Sequence, residues 1–237
     1  MRKESVRAVS SALVLSMAGL GNAQAGIDKI YGTTVEQGEL ELEMRGVHVL
    51  DDEGGSEGDK TLKFAVGYGV NAWWWTEAYL EFEDERGEDA ELEAYELENI
   101  FQLSEPGEYA VDFGFLTEIE KVRELDIVEL KVGPLFQKDF ADWTGKLNLL
   151  TERQFGDDKT EDEWEFIGRA QLKYRLSSAF EPGIELHTEE HSKALGIVGM
   201  GTTSMSETPV EWLFGLFSGM NDDTPDLQAR WELEFEF

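Results

Sequence analysis

The chain has 237 residues, no cysteine and a formal net charge of −31 at pH 7, from 51 acidic and 20 basic residues. The absence of cysteine excludes a disulfide framework and thiolate chemistry. The acidic excess argues against nucleic acid as a partner, because phosphate binding needs clustered lysine and arginine side chains.

The chain begins with the pattern of a secretory signal peptide. Arg2, Lys3 and Arg7 form a basic start, residues 12–20 are an apolar run, and the small residues 23–25 resemble a cleavage site. The alternative, a membrane anchor helix, would need about 20 apolar residues. We therefore predict a signal peptide over residues 1–25, cleaved after Ala25, and one barrel domain over residues 26–237.

Apolar and charged residues alternate along most of the remaining chain, as in strands with one apolar and one charged face. The last strand shows this clearly, since Leu233, Phe235 and Phe237 alternate with Glu232 and Glu234. The predicted fold class is all-β: an antiparallel transmembrane β-barrel of about 12 strands, with about 10 or about 14 as alternatives. The predicted strands are 38–49, 60–69, 73–84, 91–103, 109–121, 126–138, 143–154, 164–176, 180–188, 194–200, 209–218 and 226–237.

Long or acidic connections alternate with short ones, as expected of a barrel with external loops and periplasmic turns. The short connections are 69–72, 104–107, 139–142 and 177–179, and the exception is 201–208, which is longer than a turn. An even number of strands places both ends of the domain on the periplasmic side.

A soluble β-sandwich would show the same alternation of apolar and charged residues. The positions of the aromatic residues distinguish the two folds. Several of them lie near predicted strand ends, as in the girdles at the two membrane interfaces. They are Trp73, Trp74, Trp75, Tyr109, Trp143, Phe180 and Trp212. We therefore expect a location in the bacterial outer membrane, among lipid and lipopolysaccharide.

If the apolar faces meet lipid, the charged faces line the interior of the barrel. The predicted lumen charges are Glu39, Glu41, Glu77, Glu81, Glu232 and Glu234 on the acidic side and Lys146, Arg169, Lys173 and Arg175 on the basic side. In a ring of about 12 strands the seventh and eighth lie across from the first and second, so an acidic wall would face a basic wall. The alternative is that these charges pair across a filled lumen.

The expected function is passive passage of a small solute, and the alternatives are a closed structural barrel and an outer-membrane hydrolase. His187 lies beside Glu185, and His191 beside Glu189, so an acid–base or metal site is conceivable. The sequence has no Gly-x-Ser-x-Gly elbow. We therefore expect these histidines to be rim residues, and we assign no enzymatic activity, catalytic residue, cofactor or metal ligand.

The acidic stretches 51–59 and 157–163 offer oxygen ligands for divalent cations but lack the fixed spacing of a dedicated calcium loop. We expect them to be solvated external loops with weak ion bridging to lipopolysaccharide. At the other end of the chain, the terminal aromatic residue Phe237 resembles the recognition signal of the barrel-assembly machinery, which we therefore expect as a partner.

Several runs at turns and strand ends resemble a known group of proteins. The runs are ENIFQLSEPGEY (98–109), VGPLFQK (132–138), LNL (147–149), ERQFG (152–156) and AFEPG (179–183). They are similar to proteobacterial outer-membrane barrels of the group that contains proposed transporters of the phenol meta-degradation pathway. The resemblance implies a barrel that moves small aromatic or apolar solutes, and it carries no catalytic or binding residue.

Overall fold

A computed structural model describes residues 26–84 and 89–237, where 12 antiparallel strands close into one barrel. The predicted signal peptide and the loop residues 85–88 lie outside the described residues. The strands are β1 (Leu40–Asp51), β2 (Lys60–Asn71), β3 (Trp74–Asp84), β4 (Glu91–Gln102), β5 (Asp112–Val122), β6 (Val128–Phe140), β7 (Trp143–Phe155), β8 (Glu165–Tyr174), β9 (Glu181–Thr188), β10 (Lys193–Met205), β11 (Thr208–Gly219) and β12 (Leu227–Glu236). Each strand pairs with its neighbour in sequence, and β12 returns to β1. The predicted fold class is confirmed.

The alternation of residue types sets which side of the wall each side chain occupies. In β3, Leu80 points outward and is 42% exposed, whereas Glu77 and Glu81 point inward and are 1% and 6% exposed. A closed wall with an apolar outside and a charged inside satisfies its backbone internally and presents hydrocarbon to lipid. The sidedness is that of an outer-membrane barrel. Among the described residues, no helix is long and apolar enough to span a membrane.

The shortest connections lie at one end of the barrel, where β1 begins and β12 ends. Two-residue turns occupy 72–73, 141–142 and 206–207 at this end, which identifies it as the periplasmic one. The predicted long connection 201–208 is wrong, because β10 runs on to Met205 and a tight turn follows. In that turn Ser206 and Glu207 have φ values of 51° and 77°.

The aromatic residues predicted for the membrane interface lie near the periplasmic end, but one of them does not face outward. Trp73, Tyr109 and Phe180 are 54%, 55% and 44% exposed there. The prediction for Trp75 is wrong, because its side chain points into the barrel and is only 8% exposed. It occupies space next to Gly67, where a Cβ atom would lie 2.2 Å from the Trp75 ring.

Residues 26–38, here called the N-terminal segment, lie inside the lumen instead of outside the periplasmic end. The Gly38 amide donates to Gly69 O at that end, whereas Gly26 lies against the carboxyl group of Glu189, which follows β9 at the other end. The expectation that both ends of the domain lie on the periplasmic side is therefore wrong for Gly26. The segment lies in the lumen because its apolar, polar and charged groups have complementary partners on the inner wall.

Candidate functional site: the lumen and its N-terminal segment

Two apolar patches on the inner wall receive side chains of the N-terminal segment. Tyr31, which is 1% exposed, packs with inward residues of β5 to β8. These residues are Leu116, Leu135, Leu150 and Ile167. Ile27, also 1% exposed, packs with Phe217 and with inward residues of β10. Burial of such side chains stabilises each by about 1.5–3 kcal/mol.

Polar side chains of the wall bind the backbone of the segment. Asn148 accepts a hydrogen bond from Tyr31 N at 2.8 Å and donates from Nδ2 to Tyr31 O at 3.1 Å. Farther along, Val35 N donates to Gln102 Oε1 at 2.8 Å. An irregular segment inside a protein must satisfy its peptide groups in this way.

Asp28 and Lys29, two of the three charged residues of the segment, complete the attachment. Asp28 lies 3.3 Å from guanidinium nitrogens of both Arg45 and Arg169. Lys29 forms ion pairs with Glu43 and, at 2.6 Å, with Glu234. Since these pairs are largely buried, loss of one partner would leave an uncompensated charge in the lumen.

Two cavities lie on either side of the segment. The periplasmic cavity has a volume of about 520 Å³ and meets the segment from Lys29 to Glu36. The outer cavity has a volume of about 530 Å³ and meets the segment from Gly26 to Asp28. The lumen is therefore neither open throughout nor filled by wall side chains alone.

Eight of the ten predicted lumen charges line the periplasmic cavity. They are Glu39, Glu41, Glu77, Glu232, Glu234, Lys146, Lys173 and Arg175. The acidic members come from β1, β3, β12 and the residue before β1, and the basic ones from β7, β8 and the residue after β8. Burial, followed by the nearby Glu36, Glu211 and Glu234, raises the pKa of Glu39. Acidic and basic groups thus occupy different sectors of one cavity.

The remaining two predicted charges lie at the outer cavity. Glu81 forms an ion pair with Lys63 at 2.7 Å. Arg169, which binds Asp28, also approaches Glu189 at 3.5 Å. Burial raises the pKa of Glu189, and the positive charge of Arg169 partly offsets this effect.

Ion pairs occupy much of the predicted basic sector. Lys173 pairs with Glu181 at 2.5 Å, and Arg175, which is exposed beyond β8, pairs with Asp139 at 2.6 Å. Lys146 reaches the backbone oxygen of Ile30 at 3.5 Å. The alternative that these charges pair with one another or with other residues is thus partly correct. The pairs lie at the cavity wall and do not cross a filled lumen.

Sequence reasoning missed several charges that hold the segment. Arg45 and Arg230 are 4% and 1% exposed, and Arg230 donates to Asp28 O. Both lie on strands assigned to the acidic sector. The signal available was their place in the inward register of β1 and β12, where Arg45 is paired with Glu232.

His187 is enclosed in the wall and does not lie at a rim. Its Nε2 atom lies 3.1 Å from Glu185 Oε2, and its ring meets Phe217 edge-on at 5.3 Å. Glu185 also binds Arg230 at 3.0 Å. His191, by contrast, is exposed in the loop after β9. The structure therefore does not join the two histidines into one site.

No known family model matches the sequence, and no curated protein matches it. Solved outer-membrane barrels share its fold. The COG4313 outer membrane channel from Pseudomonas putida F1 superposes with a TM-score of 0.61 at 8% identity, over 89% of this chain and 100% of that one. The KdgM porin in complex with disordered oligogalacturonate gives 0.56 at 6% identity, and the NanC porin 0.56 at 9%; each comparison covers 83% of this chain and 98% of the other. At these identities the likeness concerns the fold alone.

Proposed function

We propose that the protein is an outer-membrane channel for small solutes, closed in the described state by its N-terminal segment. The observation that carries this proposal is the pair of cavities on either side of that segment. A barrel with a purely structural role has no need of two cavities of this size. The shared fold of the COG4313 channel and the two porins supports the same reading.

The lining of the cavities suggests the class of solute. Acidic side chains outnumber basic ones around the periplasmic cavity, so an open lumen should prefer cations or zwitterions to anions. An acidic saccharide of the kind bound by the KdgM porin is therefore a poor candidate. The aromatic or apolar solutes implied by the resemblance to the phenol meta-degradation group also fit this charged cavity poorly.

The segment can be loosened by neutralising Asp28 and Lys29. In Asp28→Asn/Lys29→Gln the side chains keep their approximate size but lose their ion pairs with Arg45, Arg169 and Glu234. We expect the wild type to show low or rare conductance in a planar bilayer and the double variant to open several times more often, because each buried pair that is lost weakens attachment by about 1 kcal/mol or more.

A matched control exists in the loop between β7 and β8. Asp158→Asn/Lys159→Gln makes the same two changes at adjacent residues that are exposed outside the lumen, and it should leave conductance at the wild-type level. If neither double variant conducts, the protein is a closed structural barrel. If the wild type already conducts fully, the segment is not the barrier.

A further inference from the structure

Three consecutive strands place carboxylates side by side on the inner wall. Glu98 in β4 is directly opposite Glu77 in β3 and Glu118 in β5. All three are almost completely buried, with exposures of 0%, 1% and 3%. Like charges at directly paired positions destabilise a sheet. This arrangement therefore needs a compensating interaction.

Within this row a wall lysine compensates only Glu118, and a second lysine pairs with carboxylates beside the row. Lys63 pairs with both Glu81 and Glu96, at 2.7 and 2.9 Å. Lys131 pairs with Glu118 at 2.7 Å. Both ammonium groups are already shared between carboxylates, since Lys131 also lies 3.2 Å from a second one. Neither provides a partner for Glu98.

Glu98 is the exceptional member. Both of its carboxylate oxygens are buried and accept no hydrogen bond from any described residue. One carboxylate oxygen of Glu96 and one of Glu118 are also buried and accept no hydrogen bond from any described residue. Ligand oxygens of Glu96, Glu98 and Glu118 all lie within 4.8 Å of one another. An isolated buried carboxylate is unfavourable by several kcal/mol unless a cation or a proton neutralises it.

We propose that Glu96, Glu98 and Glu118 form a binding site for one divalent cation, with Ca²⁺ as the best fit. Ca²⁺ binds carboxylate oxygens at about 2.3–2.6 Å, so its ligand oxygens lie within about 5 Å of one another, a condition that this cluster meets. Mg²⁺ usually retains several waters, for which a fully buried site leaves little room.

The N-terminal segment lies next to this cluster. Tyr31 and Leu116 belong to one apolar cluster, against which Ile100 packs. Leu116 and Ile100 are the neighbours of Glu118 and Glu98 in the same inward rows of β5 and β4. A cation at the cluster is thus enclosed between the wall and the segment. The site requires the folded barrel but does not require solute passage. The cation-site proposal can therefore be tested independently of the channel proposal.

The test is calcium binding to the full chain, purified in neutral detergent, freed of lipopolysaccharide and stripped with a chelator. Equilibrium dialysis with radioactive Ca²⁺ should show one tightly bound ion in the wild type. Glu98→Gln keeps the shape of the side chain but removes its charge, and should weaken binding at least about tenfold. Glu105→Gln, in the exposed connection after β4, is the matched control and should bind like the wild type.

Glu96→Gln provides the same test if the Glu98 variant does not assemble, because Glu96 contributes one of the free oxygens. Thermal unfolding with and without Ca²⁺ gives a second readout, and the stabilisation seen in the wild type should be lost in either site variant. A wild type that binds no Ca²⁺ overturns the proposal, as does binding that both variants retain. If Glu98→Gln is more heat-stable than the wild type at every Ca²⁺ concentration, the cluster is an uncompensated or protonated group and no cation site.

Discussion

A single amide on the wall, that of Asn148, holds the middle of the N-terminal segment. It is completely buried and satisfies both the N–H and the C=O of Tyr31. The partners are 117 residues apart in sequence, so no local pattern could have predicted this contact. The sequence does predict the inward position of Asn148, since it alternates with lipid-facing Leu147 and Leu149.

Replacing Asn148 should loosen the segment without opening the wall. Asn148→Ala leaves two backbone groups of Tyr31 unpaired, at a cost of about 1–3 kcal/mol each. Hydrogen exchange followed by mass spectrometry should show faster exchange in residues 26–38 and unchanged exchange in the strands. Asn99→Ala is the control, because Asn99 faces outward and its side-chain oxygen accepts a hydrogen bond from the Trp74 indole at 3.0 Å. Unchanged exchange of the segment would show that other contacts hold it.

Strand β8 carries two basic residues on the same inward face that have different binding partners. Arg169 and Lys173 have the same orientation in β8 and were indistinguishable in the sequence. In the structure Arg169 binds Asp28 and the Lys29 carbonyl, whereas Lys173 lines the periplasmic cavity beside Glu181. One belongs to the attachment of the segment, and the other lines the cavity through which we propose that solutes pass.

The two residues should therefore have different effects on the channel. Arg169→Gln should increase the frequency of opening, because Asp28 loses a partner. Lys173→Gln, tested in the Asp28→Asn/Lys29→Gln background, should shift the reversal potential further toward cations. The shift should be largest at low salt, where the screening length is about 30 Å at 0.01 M. Equal effects of both substitutions on opening would contradict this division.

The alternation of residues predicted most strands well but failed where glycine replaces an apolar or charged residue. In β10, Gly196 faces inward next to Phe217, and a Cβ atom there would lie 2.3 Å from the phenylalanine ring. The Phe217 side chain on β11 fills the space inside both β10 and β11. Such compensation joins residues on different strands and leaves no period-two signal in either. The N-terminal segment has no period of its own for a similar reason, since its partners lie around the whole wall.

At the scale of the whole molecule, closure depends on the seam between β1 and β12. The terminal residue extends this seam, because Phe237 N donates to Leu40 O and Leu40 N donates to Phe237 O. The Phe237 side chain itself is 62% exposed toward the outside. The backbone of this residue thus contributes to closure, while its ring remains available for recognition during assembly, which we propose as its role.

Substitution can separate these two contributions. Phe237→Glu keeps the backbone hydrogen bonds but removes the aromatic ring, and deletion of Phe237 removes both. If the ring is the assembly signal, both changes should lower several-fold the amount of heat-modifiable barrel recovered from membranes, whereas Phe237→Tyr should preserve it. Normal recovery of the Phe237→Glu protein would assign the residue to closure alone.

The N-terminal segment remains joined to the wall at β1, and this connection makes it a tethered ligand of its own lumen. Residues 26–38 would span about 40 Å when extended, enough to leave through the periplasmic mouth without being lost. A tether of this length keeps the segment at roughly millimolar effective concentration. A solute that occupies the same contacts must compete with that concentration, so passage would respond to solute abundance before any partner protein acts.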